Sequence, residues 1–486
     1  MKVKLEGQQY DTLLIPIEWR GSAATVGIIR YFEYIEDKEG VKLYEVTRKR
    51  DADKYPVYEE IGGYIEGILY NQADITEARY LKFCEVFYGE EFQHIKLERE
   101  LSSQDAEYTE DKINNINSYI AGVNSNTILK KVFGKTRFDG KNKDEILELI
   151  ECNRQDIIRE TFRYKTTMYR NFANVNKLFS EQNPHCRLLG FDLDENRKSK
   201  AVSYRFDTDT FVSRDEREYD FIPFAFTYSG EGFFINNNAS IHDLIKSNDC
   251  VKTVFSENVK VIDNRKARDS DRTKLIKTLI DVDDFLQFDV EIICKSRKEE
   301  VFNTFFLRKK SIRRLKKIYE KYSVKYTHKY NDNYQLNVEE EIINCCVNDG
   351  YLDGLIEQLL VLRKSEIFPS SVLGILIDIN VDWKGVDNMD RRVRRAKDTG
   401  DSIRQKIEVK YGYNKVNSYR IKLTNAIISR DKNRVVTIMI QMFGCVGASN
   451  DTLFDMLDDK SDWFDVAAGF VSALINDENN DEKKVD

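Results

Sequence analysis

Five carboxylates stand close together at Asp281, Asp283, Asp284, Asp289 and Glu291, beside a strand candidate at Phe285–Cys294. Metal-dependent nucleases converge such groups on one or two divalent ions. A nuclease core also usually sets a lysine shortly after its acid. Here Lys295 follows Glu291 on the same strand face but too far along it. The cluster reads first as an acidic turn. A nuclease built on Asp281, Asp289 and Glu291 is the catalytic alternative. His94, His185, His242 and His328 form no metal-binding helical pair, and His185 beside Cys186 lacks a second pair to complete a zinc site. Phe133-Gly134-Lys135-Thr136 resembles the end of a phosphate-binding loop, but Leu129 stands where the earlier glycine is needed. Catalytic residues, metals and cofactors are therefore expected to be absent.

Cations offer a different chemistry. Arg308 to Lys329 carries ten basic residues against one acid, interleaved with Tyr319, Tyr322 and Tyr326. Arg313, Arg314, Lys316, Lys317 and Lys321 are spaced to cover one broad side of a helix. Arg391, Arg392, Arg394 and Arg395 form a second cluster. Several cations on one surface bind polyanions, because each phosphate contact releases counterions. Bases can stack on the neighbouring tyrosines. A third segment joins Asn114, Asn115, Asn117, Asn124 and Asn126 to Lys130, Lys131, Lys135 and Arg137. Asn and Lys side chains suit minor-groove acceptors and nearby phosphates. The plain reading of each run is a solvated helix face. Two Arg/Lys clusters in one chain favour nucleic acid.

The elements that must carry these residues are mostly helices. The chain has 486 residues, 41% hydrophobic and 33% charged, with only 5 Pro. That length accommodates more than one domain with a real core. The net charge of −7 argues against a uniformly basic nucleic-acid binder. Charge is segregated, however. Residues 391–434 sum to about +10 and residues 435–486 to about −8. Eight scattered Cys without a C-x-x-C pair point to a reducing cytoplasm rather than a disulfide scaffold. No apolar run approaches membrane-spanning length, and the N-terminus lacks a continuous apolar signal core.

The periodicities predict an α+β chain: a mixed strand and helix N-terminal region with a β-rich centre, then a C-terminal helical bundle. A helix is expected over Ser22–Tyr34 with Ser22 as its cap, a strand over Lys42–Thr47, and helices over Thr76–Leu101, Asp111–Leu129 and Lys143–Leu178. Val132–Asn142 reads as a basic loop. The β-rich centre runs from about Val202 to Ile235, and beyond Val301 nearly everything reads helical. Domains are placed at residues 1–340, binding nucleic acid, and 341–486, the bundle.

Tyr219 to Leu244, YDFIPFAFTYSGEGFFINNNASIHDL, is the most particular string. Phe221 to Phe226 alternates like a half-buried strand. Ser229, Gly230 and Gly232 suggest a tight turn into a second aromatic strand at Phe233–Ile235. Asn236, Asn237, Asn238 and Ser240 read as a loop capping a helix from Ile241. A direct base-reading role for the three asparagines stays open.

This string resembles the large subunit (Cas family eight) of a type I-B CRISPR Cascade, of the CXXC–CXXC group. The matching parts are Ile222 to Phe226 and Phe233 to Asn238, with Arg20 to Tyr34, Asn417 to Phe443 and Asp458 to Asn476 elsewhere. The paired cysteines of that group would fall between about Asn174 and Tyr204, where only Cys186 stands, so zinc is not carried over. The resemblance implies a non-catalytic subunit of an antiviral surveillance complex. Such a subunit binds the duplex beside the target, reads the protospacer-adjacent motif, supports the R-loop and recruits the helicase–nuclease, while guide RNA reads the target by pairing. The implied partners are crRNA, target double-stranded DNA, the helicase–nuclease, and the backbone, small and 5′-handle-binding subunits. Under it, Asn114 to Arg137 approaches the motif duplex or the RNA 5′ end, and the two Arg/Lys clusters hold phosphates of the displaced strand or R-loop. It also raises internal initiation at Met389, giving residues 389–486 as a separate small subunit, since Lys384-Gly385-Val386 can be encoded by a ribosome-binding sequence. A helical scaffold binding only protein is the remaining alternative.

Overall fold

A computed structural model describes residues 3–5, 8–49, 64–102, 108–121, 127–180, 186–189, 215–228, 231–258, 271–281, 289–296, 302–322, 324–331, 335–362, 370–448, 451–458 and 462–475. The chain is α+β, with small antiparallel sheets and a C-terminal run of helices. It divides into two compact units. Unit 1 comprises residues 1–266 and 284–306, and unit 2 residues 267–283 and 307–486.

Unit 1 begins with β1 (Val3–Leu5), β2 (Gln8–Tyr10) and β3 (Thr12–Leu14), followed by α1 (Trp19–Glu39). β4 (Tyr44–Lys49) and β5 (Tyr64–Tyr70) complete a three-stranded sheet in the order β3-β5-β4. Helices α2 (Glu77–Tyr88), α3 (Gln93–Ser102), α4 (Glu110–Ala121), α5 (Thr127–Phe133), α6 (Lys143–Tyr164) and α7 (Tyr169–Phe172) follow. A 3₁₀ helix at Arg217–Phe224 leads to β6 (Thr227–Tyr228), β7 (Gly232–Asn236) and α8 (Ile241–Asn258). With β8 (Val290–Lys295) and β9 (Phe302–Leu307), the two strands form a sheet in the order β6-β7-β8-β9.

The aromatic string folds differently from the strand that its alternation predicts. Tyr219 to Phe224 are all buried, so no side of the segment faces water. Pro223 lacks the N–H that a ladder would need. The segment instead lies on α1, and contact is so close at Gly27 that a Cβ there would sit 2.1 Å from the Phe221 carbonyl oxygen. α1 itself is buried almost all round over its first turns, as a central helix must be. It starts at Trp19, so Ser22 is interior and not its cap. Phe224 is ringed by Phe83, Phe87, Tyr80, Tyr88 and Phe162 at 4.6 to 5.7 Å between centroids. The second aromatic strand and the helix from Ile241 stand where expected, as β7 and α8, with Ser240 Oγ accepting from the Asp243 amide at 2.9 Å. Residues 202–214, Ser229 and Gly230 lie outside the described residues.

The helical stretch expected over Thr76–Leu101 is split. Thr76 caps α2, and Gly89 (φ +37°) ends it in a short 3₁₀ turn before α3. A second core in unit 1 joins α3 to α6 through Leu97, Leu101, Ile116, Ile120, Phe133, Phe138, Ile146 and Ile150. Unit 1 also holds a buried ionic knot. Arg187 is wholly buried, pairs with Asp215 at 3.0 Å and Asp220 at 2.7 Å, and Tyr169 donates to Asp220 at 2.7 Å. Burial pushes the Asp220 carboxyl above its ordinary range, and Arg187 opposes that.

Unit 2 holds α9 (Asp271–Asp281), α10 (Lys309–Lys321), the hairpin strands β10 (Thr327–Lys329) and β11 (Gln335–Asn337), and α11 (Val338–Val347). Then come α12 (Asp353–Leu362), α13 (Ser370–Lys384), α14 (Met389–Tyr411), α15 (Tyr413–Ile428), α16 (Lys432–Val446), α17 (Asp451–Leu457) and α18 (Trp463–Ala473). The strands β9, β10 and β11 lie in a stretch that the sequence reads as nearly all helix. They are short, and β10 and β11 meet only each other. α18 is the axis of the bundle, with Phe464 through Ser472 all buried. α14 crosses it closely, since a Cβ on Gly400 would lie 2.6 Å from the Phe470 carbonyl oxygen. No described helix is long and apolar enough to cross a membrane.

Candidate nucleic-acid interface

α10 is the most sharply two-faced helix of unit 2. Ile312, Leu315 and Ile318 recur at helical spacing and are buried, with Ser311 Oγ donating to the Cys346 carbonyl at 2.9 Å. That fixes the roll of the helix and turns Lys310, Arg313, Lys316, Lys317 and Lys321 to solvent. Arg314 sits at the margin. It pairs with Asp349 at 3.1 Å, and its guanidinium lies 6.0 Å from the centroid of the Trp383 ring. Asp349 also takes Arg308 at 2.7 Å. Lys310, Arg313 and Lys317 make no ion pair among the described residues.

This cationic face forms one wall of a groove of about 960 Å³. Ile379, Asp382 and Trp383 of α13 form the other wall, and Ile318 and Tyr322 supply apolar floor. Lys321 bridges the two walls to Asp382 at 3.2 Å. Hydrogen bonding to Tyr322 and to Asp382 holds the Lys321 ammonium above its ordinary range. The arrangement is chemically suited to anions that carry an apolar part: cations on one rim, apolar surface between, and two carboxylates, Glu320 and Asp382, near the Lys321 end.

The second basic cluster lies on α14 and is half neutralised. Val393 and Ala396 face the bundle. Arg392 pairs with Asp458 at 2.6 Å and Arg395 with Asp455 at 3.2 Å, while Arg391 and Arg394 point to solvent. The segregated charge of the last third is therefore used partly within the fold. The same is true at the end of α13. Lys384, nearly buried, takes Asp353 at 2.8 Å, Asp462 at 2.5 Å and Asp465 at 3.0 Å. Asn380 donates to Asp465 at 2.8 Å and accepts from the Leu352 amide at 2.7 Å. Burial raises the Asp465 carboxyl to about 6 against the pull of Lys384.

In unit 1, Lys130 and Lys131 are exposed on the last turn of α5, where cations complement the helix dipole. Lys135 and Arg137 are exposed on the loop that follows, and Arg137 donates to the Thr136 carbonyl at 3.2 Å. Gly134 (φ +54°) closes α5 there, a helix end and not a phosphate loop. Asn124 and Asn126 lie outside the described residues. Asn117 is structural: its amide grips the Phe138 backbone from both sides, at 2.9 and 2.8 Å. Asn236 and Asn237 are also committed inside the fold. Asn236 donates to Glu291 at 2.9 Å and Asn237 to Ser247 at 2.9 Å, both nearly buried, and only Asn238 is exposed.

The expected residues thus fall in several places. Lys130, Lys131, Lys135 and Arg137 lie on the surface of the α3–α6 part of unit 1, and Asn236–Asn238 at the end of β7 beside its aromatic core. Arg313, Arg314, Lys316 and Lys317 line the α10 face and Arg391–Arg395 the α14 face of unit 2. Of the carboxylate cluster, Asp281 belongs to unit 2 and Asp289 and Glu291 to unit 1. Glu291 is held by Asn236, and no group of three metal-ligating side chains occurs among the described residues. Trp383 and Asp382, which wall the groove, and Asp349, which neutralises Arg308 and Arg314 beside it, had no signal in sequence beyond their residue types.

One family model, that of CRISPR-associated protein Csx8, matches residues 10–474. The chain belongs to this Csx8 family. The match takes in both units, from β3 and α1 through α18. No curated protein and no solved structure matches. As a Csx8 protein, the chain is CRISPR-associated; the family description names neither a reaction nor a ligand.

Proposed function

We propose that this Csx8 protein is the large, non-catalytic subunit of a Cascade-type surveillance complex, and that it holds nucleic acid on the cationic surfaces of its two units. The observation that carries this reading is the family match along nearly the whole chain. The row of Lys310, Arg313 and Lys317 beside the α10 groove supports it, because cations with no acidic partner among the described residues are available to phosphates. On this reading Lys130, Lys131, Lys135 and Arg137 of unit 1 contact the duplex beside the target, near the protospacer-adjacent motif. The groove and the outer arginines of α14, Arg391 and Arg394, hold strands of the R-loop. Guide RNA supplies target recognition by pairing, and the protein supplies the contacts that tip a near-balanced strand exchange. The helicase–nuclease does the cutting, and the type I-B assignment belongs to the same proposal.

The decisive test is the purified complex with guide RNA and a target duplex. Binding without cleavage in the presence of divalent metal supports the reading. Metal-dependent cutting lost on Asp289→Asn would replace it with a nuclease. Reversing Lys130 and Lys131 to Glu should weaken duplex binding and make its salt slope shallower by about 2, since each phosphate contact contributes about 0.9. An unchanged slope removes α5 from the duplex interface.

Internal initiation at Met389 belongs to the same reading. A product beginning there would contain α14 to α18, including the close α14–α18 crossing. It would lack Lys384 and Asn380, the partners of Asp465. Such a fragment should therefore need a neighbouring surface to stay folded. Intact-mass analysis of the complex decides whether it is present.

A further inference from the structure

We propose that the groove between α10 and α13 is a single-strand site, which seats about three consecutive phosphates of one unpaired strand and excludes duplex. This rests on the reading above and names the ligand class of one of its surfaces. Three observations carry it.

The first is the row itself. Lys310, Arg313 and Lys317 follow at intervals of three and four, so they form one stripe along α10. From the first to the last is about 10 Å of helix at 1.5 Å per residue. The second is width. Side chains from the two walls meet across the groove, Lys321 with Asp382 at 3.2 Å and Arg314 over Trp383 at 6.0 Å. A cleft that two side chains can span does not admit B-form DNA, whose major groove alone is about 12 Å wide. The third is the floor. The half-buried ring of Tyr322 lies between the cations and the far wall, flanked by the edges of Ile318 and Trp383. An unpaired strand has apolar base faces to lay there, and a duplex keeps its own stacked inside. Asp382 and Glu320 set the polarity of the groove: Asp382 occupies Lys321, both carboxylates repel phosphate from that end, and Lys310, Arg313 and Lys317 are left to act.

Single-stranded DNA and RNA share this chemistry, so both are tested. The full-length protein is titrated by fluorescence anisotropy with labelled oligo-dT, oligo-rU and a mixed-sequence duplex over a range of salt. The triple variant Lys310→Ala, Arg313→Ala, Lys317→Ala should lose at least tenfold in single-strand affinity. Its slope against log salt should become shallower by about 2, since three contacts to a single strand contribute about 0.7 each. Duplex affinity should change far less. Asp382→Asn should act in the opposite direction and tighten single-strand binding, an outcome that misfolding cannot mimic. Preference for oligo-dT assigns the groove to a DNA strand, and preference for oligo-rU to RNA. An unchanged slope in the triple variant, or equal losses on strand and duplex, overturns the proposal. So does loss of a protein subunit from the complex with single-strand binding intact, which would make the groove a site for an acidic protein segment. Failure of the complex to bind target duplex would sink the surveillance reading while leaving single-strand binding in the groove to stand or fall on these titrations.

Discussion

The two basic helices of unit 2 look alike in sequence and differ in the fold. On α14, Arg392 and Arg395 are answered by Asp458 and Asp455 from the acidic C-terminal stretch. On α10, Asp349 answers Arg308 and Arg314 from one side, and Lys310, Arg313 and Lys317 are left facing a groove. A run of positive charge therefore has two uses. It can tie distant parts of one chain together, or it can stay open for a partner. What separates the two is where the acids of the same unit end up, and that is a tertiary fact.

The strongest way to break this comparison is to attack the charge cluster that holds the acidic stretch in place. Lys384 is nearly buried and faces Asp353, Asp462 and Asp465. Lys384→Met removes the cation and leaves the carboxylates behind. Breaking one side of a buried ionic cluster costs about 3 to 5 kcal/mol. The urea midpoint of the full-length chain should fall accordingly. A loss well under 1 kcal/mol would mean that charge does not anchor α18, and the contrast between α10 and α14 would lose its cause.

A pH series sharpens the same point with a smaller effect. Asp465 stands at about 6 in the fold, raised by burial above an unfolded carboxyl near 3.8. A raised carboxyl binds its proton more tightly when folded, so its contribution to stability is greatest below about 4. It declines as pH rises through the folded value and is constant above it. The span corresponds to about 3 kcal/mol at 1.36 kcal/mol per unit. Glu85 and Glu91 are shifted downward, mainly by His94 and Arg154 for one and Lys165 for the other, and work in the opposite direction. The informative quantity is therefore the difference between wild type and Asp465→Asn, measured by denaturant unfolding from pH 4 to 7. That difference should shift steadily over this window. A flat difference would show that Lys384 keeps Asp465 charged throughout.

How much of this was legible in sequence follows from how local each feature is. The roll of α10 could be read from Ile312, Leu315 and Ile318, because amphipathic spacing is a local property. The α+β character, the helix from Ile241 and its Ser240 cap were legible for the same reason. The aromatic string misled, because period-two alternation assumes one wet face, and Tyr219–Phe224 has none. Asn236 and Asn237 looked available because polar residues usually face water, yet each finds a partner inside the fold, Glu291 far along the chain and Ser247 on the next helix. The Arg187–Asp215–Asp220 knot and the far wall of the groove at Asp382 and Trp383 had no signal at all, since they depend on contacts between distant segments.

The mildest prediction separates the two halves of the α14 cluster. Each pair has one open member, Asp458 in the first and Arg395 in the second, while Arg392 and Asp455 are mostly covered. Such pairs contribute less than about 1 kcal/mol each. Arg392→Ala with Arg395→Ala should therefore lower the melting temperature slightly and leave the salt slope of nucleic-acid binding where it was. Arg391→Ala with Arg394→Ala should do the reverse, with no change in melting and a slope shallower by about 1 for single strands, if both contact phosphate. The two double variants remove the same charge from the same helix, so net charge cannot explain a difference between them. If both shift the slope equally, the ion pairs to Asp455 and Asp458 open on binding, and α14 offers its whole cluster to nucleic acid as α10 does.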